Sequence, residues 1–188
     1  MKKCGSLIAV IFIYAFSATA QMSDSGSVKQ NGPDPVWISF GLGGSDSLSG
    51  FNVSTHVFVN EHCFSAQYAS SKEYSFWGDP EDNRQEFSLA YGRCVATDMA
   101  MALGSLGVCY RNETSYEISD SYSNDPDDWF DTEFIYAARH RDYYGIIAKG
   151  QILLRSRHVG IGPSFAVCFT GERAFISIYL DLALGNLK

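Results

Sequence analysis

Ala174-Phe175-Ile176-Ser177-Ile178-Tyr179-Leu180-Asp181-Leu182-Ala183-Leu184 decides the fold. Taken two at a time, Ala174, Ile176, Ile178, Leu180, Leu182 and Leu184 fall on one side and Phe175, Ser177, Tyr179, Asp181 and Ala183 on the other. Successive side chains of a strand point to opposite faces. This segment is therefore a strand with one aliphatic face and one smaller, more polar face.

The same period runs back through the chain. Strands are expected at Trp37 to Gly43, Phe51 to Val59, Cys63 to Ser71, Glu86 to Val95, Met99 to about Arg111, Tyr143 to Arg155 and His158 to Phe169, with the quoted stretch as the eighth. Pro163 lacks the N–H that a ladder needs, so a bulge or a shortened seventh strand is expected there. The links near Asn60-Glu61, Thr97-Asp98 and Ser156-Arg157 are tight. Between them come Tyr74 to Arg84 and the long polar stretch Asn112 to Asp142, read as loops. Short turns at one end and longer loops at the other suit an outer-membrane barrel. The expected fold is all-β: an eight-stranded antiparallel up-and-down transmembrane β-barrel.

The ends and the composition agree with export. Lys2 and Lys3, the apolar run Leu7 to Phe16 and the small-residue site Ala18-Thr19-Ala20 have the layout of a signal peptide. The expected organisation is a signal peptide at 1–20, a flexible polar segment at 21–36 and a barrel domain at 37–188. The formal charge of −7 becomes −9 once Lys2 and Lys3 are removed, which argues against nucleic acid as a partner. Thirteen Phe, 11 Tyr and 17 Gly favour an all-β chain over a helical one.

Parity alone does not say which face points inward. In a soluble barrel that binds a small apolar ligand, the large apolar face would line the interior. Here the opposite face is mostly Gly, Ala and Ser with a few charges, a poor coat toward water and a suitable lining for a narrow lumen. The apolar face is therefore expected to meet outer-membrane lipid, with Phe51, Phe64, Tyr68, Phe87, Tyr91, Tyr110, Tyr144, Phe165 and Phe169 forming girdles. A secreted or periplasmic soluble barrel, or a narrow pore, is the alternative.

Gly150-Gln151-Ile152, His158-Val159-Gly160-Ile161-Gly162, the Gly171-Glu172-Arg173 turn and the closing Leu182 to Lys188 resemble the small outer-membrane β-barrel family of Gram-negative bacteria, in its Bacteroidota type. The resemblance implies location in the cell outer membrane and insertion by barrel-assembly machinery; no cofactor is expected. The sequence departs from many such barrels in ending on Lys188 rather than an aromatic residue.

Glu86, Arg111, Lys149, Asp181 and His56 share the parity of the small-residue face, and a polar network filling the lumen is expected of them. Charges confined in a lumen must pair or stay hydrated. Asp181 is expected to find Lys149 or Arg111, and His56 to be a hydrogen-bonded filler. Cys63 and Cys94, of one parity near the tight-turn end, are candidates for a disulfide. Cys109 and Cys168, on strands separated by another, read as small lumen fillers. The acidic stretch Asn112 to Ala138 matches no calcium-loop spacing, so no metal site is assigned. His140 and Asp142 have no serine singled out beside them by a nucleophile motif, so no catalytic residue is assigned and the protein is not expected to be an enzyme. The expected role is structural or surface-interacting.

Overall fold

The computed structural model describes residues 36–45, 48–59, 62–73, 80–123 and 132–187. The expected signal peptide and the lead segment up to residue 35 lie outside them. Eight strands follow in chain order: β1 (Val36–Ser45), β2 (Leu48–Val59), β3 (His62–Lys72), β4 (Asn83–Ala96), β5 (Ala100–Ser123), β6 (Thr132–Arg155), β7 (Val159–Thr170) and β8 (Ala174–Asn186). Each pairs antiparallel with the next, and β8 closes on β1, giving an up-and-down barrel.

Alternation dictates which side chains enter. Trp37 is 1% exposed and its neighbour Ile38 42%, and the contrast continues through Ser39, Phe40 and Leu42. Leu42 and Tyr144 are each 75% exposed, whereas Ser39, Asp181 and Arg111 are buried. The large apolar face points outward on every strand, and the small and polar face lines the interior.

Register sets the width of that interior. The ladder steps from Ser45 through Ser177, Ala166, Lys149, Ser105, Gly92 and Cys63 to Phe58. Phe58 is one place beyond Val57, the partner of Val36, so one circuit returns to β1 ten residues lower. Such a stagger tilts the strands by about 40° and leaves a lumen that side chains can fill.

Two expectations are corrected. Pro163 causes neither a bulge nor a short strand: β7 runs its full 12 residues in one register with both neighbours. Its side chain points outward, and the ladder to β6 merely omits the pairs between Gln151↔Ser164 and Leu154↔Ile161. The stretch 112–142, read as a loop, is mostly strand. β5 and β6 each run 24 residues and stay paired as far as Ser123↔Thr132, with one irregularity between Ile118 and Asp120. Beyond Thr114 neither face of that ribbon meets the lumen, so its sequence carries no apolar stripe.

Candidate functional site

The lumen is built in layers. At the end of the tight turns an apolar base is formed by Trp37, Phe58, Met101, Leu103, Leu153 and Leu187, with Cys63 and Ala183. Trp37 stacks on His56 with ring centres 4.7 Å apart and on Phe58 at 5.2 Å. The His56 ring also bonds the Ser54 hydroxyl at 2.9 Å. Its other ring nitrogen, Nδ1, lies 4.0 Å from Cys63 Sγ in the apolar base.

Above it lies a polar layer around Asp181. Asn52 Nδ2 donates to Asp181 Oδ1 at 3.2 Å and Gln151 Nε2 to Asp181 Oδ2 at 2.6 Å. The expected cation partners, Lys149 or Arg111, are not the groups that bond it. Asp181 lies opposite Gly41 on β1 and Gly162 on β7. With no side chain on Gly41, its register partner Asn52 of β2 reaches over β1, and Gln151 of β6 reaches Asp181 from the other side, across β7. Lys149 faces the same layer; its Nζ is buried without a hydrogen-bond partner among the described residues. It borders a cavity of about 30 Å³ lined also by Asn52, Ser105, Gln151, Tyr179 and Asp181, space for roughly two waters.

The third layer lies toward the opposite end. Glu86 and Arg111 are register partners, and both the Nε, at 2.9 Å, and Nη2 of Arg111 bond Glu86 Oε2. Arg111, Arg173 and Arg84 surround the Phe175 ring at 4.0, 4.5 and 5.3 Å from its centre. Glu113 accepts from Arg173 at 2.8 Å and lies 3.5 Å from Arg84, while Arg173 also donates to the Tyr143 hydroxyl at 3.0 Å. A cation–π contact contributes about 2 kcal/mol where the guanidinium is desolvated, as at Arg111 and Arg84, and about 0.5–1 kcal/mol where it is exposed, as at Arg173, so aromatic ring and ion pairs stabilise one another. Sequence reasoning missed Arg84, Glu113, Arg173 and Phe175. The first two share the parity of Glu86 and Arg111 and were lost by ending the strands too early.

The cysteine expectation is corrected. Cys63 and Cys94 are free, and a disulfide joins Cys109 to Cys168. Cys63 lies opposite Gly92, so Cys94 is two residues out of step with it. Cys109 and Cys168 flank β6, where Gly145 is the register partner of Cys109. A Cβ on Gly145 would stand 3.3 Å from Cys109 Sγ, so the bridge crosses β6 over the bare glycine.

Beyond the barrel rim, β4 pairing stops at Asn83↔Thr114 and β7 pairing begins at Gly145↔Thr170. Between these limits the β5–β6 ribbon has no third strand beside it among the described residues. It rises through Ser115 to Ser123, roughly 30 Å of strand. His140 Nδ1 meets the Thr114 hydroxyl at 2.9 Å, and Asp142 Oδ1 accepts from Tyr110 and Asn112 at 2.8 and 2.9 Å. Those hydrogen bonds, Asn112 first and Tyr110 second, hold the Asp142 carboxyl below its ordinary range. Among the described residues no His, Cys, Asp and Glu cluster is arranged to hold a metal; Asp125, Asp127, Asp128 and Asp131 lie outside them.

Several solved structures are similar. The chain matches a major outer-membrane protein of Thermus thermophilus with a TM-score of 0.58 and 9% identity, over 82% of this chain and 100% of that one. It matches the N-terminal β-barrel domain of Pseudomonas aeruginosa OprF with 0.54 and 9%, over 80% and 96%. It matches Ail, the attachment invasion locus protein of Yersinia pestis, with 0.53 and 10%, over 81% and 96%. The likeness is one of fold. No protein-family description and no curated protein matches the sequence.

Proposed function

We propose that this protein is an integral outer-membrane barrel with a surface-contact role, its lumen largely plugged by side chains and its β5–β6 ribbon offered to a partner outside the cell. The observation that carries this reading is the outward apolar face on all eight strands. Facing water it would cost roughly 25 cal/mol for each Å² left unburied; facing hydrocarbon it costs nothing. The same orientation weighs against a soluble barrel, whose apolar face would enclose its ligand. The apolar base and the arginine–phenylalanine layer, one at each end of the lumen, weigh against a narrow pore. No catalytic role is assigned: His140 and Asp142 are committed to Thr114, Tyr110 and Asn112.

The ribbon supports the contact role. It carries ladder groups beyond the barrel where a further strand can add by edge pairing, and one similar barrel of known structure is an attachment protein. Barrel-assembly machinery would insert the chain. Two measurements test the reading. The protein should stay in the outer-membrane fraction after an alkaline carbonate wash, and release by that wash would overturn the membrane assignment. A variant joining Tyr116 to Ala138, which are register partners, through an Asn-Gly turn should still insert but lose adhesion to cells or matrix. Adhesion unchanged in that variant would remove the ribbon from the proposal.

A further inference from the structure

On the outer face, four aromatic residues stand in one register row across four strands: Tyr68↔Phe87↔Tyr110↔Tyr144. The row is not evenly closed. Tyr68 and Phe87 touch, with ring centres 4.8 Å apart, and Tyr110 and Tyr144 touch at 5.2 Å. Tyr110 is turned away from Phe87 by its bond to Asp142 and its contact with Tyr144. Phe87 leans the other way, onto Tyr68, which is in turn edge-on to Phe51 at 6.2 Å. Between the two pairs the barrel wall opens into a cleft of about 510 Å³ lined by Ala66, Tyr68, Phe87, Leu89, Val108 and Tyr110. Its lining is almost wholly apolar. Leu89 and Val108, register partners exposed by 64% and 62%, form its floor.

We propose that this cleft is a seat for one acyl chain of a lipid in the leaflet facing the outside of the cell. The inference rests on the outer-membrane reading. The cleft is continuous with the apolar belt, so hydrocarbon reaches it without crossing a polar surface. It lies toward the ribbon end of the barrel, with Gln85 and Asn112 as the next outward-facing register pair above Phe87 and Tyr110. A chain entering there leaves its polar end level with the Gln85 and Asn112 amides, which donate and accept hydrogen bonds, and the Asp142 carboxylate, which accepts them, while its methylenes lie between two aromatic walls. Aromatic side chains project elsewhere on the belt too, Phe64 and Tyr91 with ring centres 5.4 Å apart among them, whereas Leu42↔Leu180 on the opposite side of the barrel is an aliphatic register pair and serves as the comparison.

The test uses the full chain in dimyristoylphosphatidylcholine vesicles doped with a phosphatidylcholine carrying a diazirine midway along one acyl chain. After irradiation, peptide mapping should show several-fold more adduct on Phe87 to Leu89 and Val108 to Tyr110 than on Leu42 and Leu180. Val108→Trp, which fills the cleft, should bring the first pair of segments down to the level of the second while the folded, heat-modifiable band on a gel persists. Equal labelling around the barrel in the wild-type chain overturns the seat but leaves the membrane reading standing. Absence of labelling on every strand, with the protein recovered outside the vesicles, overturns the membrane reading itself.

Discussion

Gly41 has no side chain, and that is what lets Asn52 reach Asp181 across β1: a Cβ there would overlap Asp181 Oδ1 and stand 2.6 Å from Asn52 Nδ2. Asp181 is buried with amides, not a cation, as the bonded partners in hand. A carboxylate that loses one of its donors in such a place keeps its desolvation penalty without the bond. Gly41→Ala is therefore expected to destabilise the folded barrel by about 2 kcal/mol, read as a lower urea midpoint for unfolding from vesicles; an unmoved midpoint would show that Asp181 finds another donor. At the rim the logic is one of titration. Asn112 and Tyr110 hold the Asp142 carboxyl low, so its ionised form is favoured by folding. That contribution is complete above the unfolded value of about 3.9 and is lost as pH falls through the lower folded value. An NMR titration of Asp142 should give a midpoint below that of a free aspartate, and Asn112→Ala should raise it more than Tyr110→Phe does.

At the scale of elements, two strands are each bridged over by their neighbours. Asn52 and Asp181 join across β1 above Gly41, and Cys109 and Cys168 join across β6 beside Gly145. Peptide mapping without reductant should recover the Cys109 and Cys168 peptides linked and the Cys63 and Cys94 peptides alkylated. A linked Cys63–Cys94 pair would reverse this assignment. Replacing Cys109 and Cys168 by serine should cost about 2–4 kcal/mol, more than the same change at Cys63 and Cys94. These bridges mark where sequence reading ends. The eight strands were legible because Trp37, Ser39 and Gly41 differ so sharply from Ile38, Phe40 and Leu42, and a period of two survives any error of register. Which groups meet inside was not, since a bond across an intervening strand depends on the stagger of the whole barrel and on glycine standing at one position. The ribbon was illegible for another reason: Tyr116 to Ser119 is exposed on both faces, so it is held by pairing with β6 and by the bond from Tyr116 N–H to Asp82 Oδ1 at 2.9 Å, and pairing leaves no apolar stripe to read.

For the molecule as a whole, the proposed plugged lumen has two closures in series. On that reading the base around Trp37 and Phe58 and the upper layer around Phe175 each block the lumen independently, with the polar layer of Asp181 and Lys149 between them. Current through a series path is limited by its tightest point, so opening one end is not enough. Trp37→Ala removes the ring that packs against His56 and Phe58 but leaves Arg111, Arg84 and Arg173 gathered on Phe175. Phe175→Ala removes the ring those arginines share, yet the apolar base stays shut. In a planar bilayer the wild-type protein and each single variant are therefore expected to show no sustained channel, whereas the Trp37→Ala, Phe175→Ala double variant conducts. Preference in that variant should be for anions, because Arg84, Arg111, Arg173 and Lys149 outnumber Glu86, Glu113 and Asp181 along the lumen. Sustained conductance in either single variant would mean that only one of the two layers blocks the path, and steady conductance in the wild-type protein would mean that neither does.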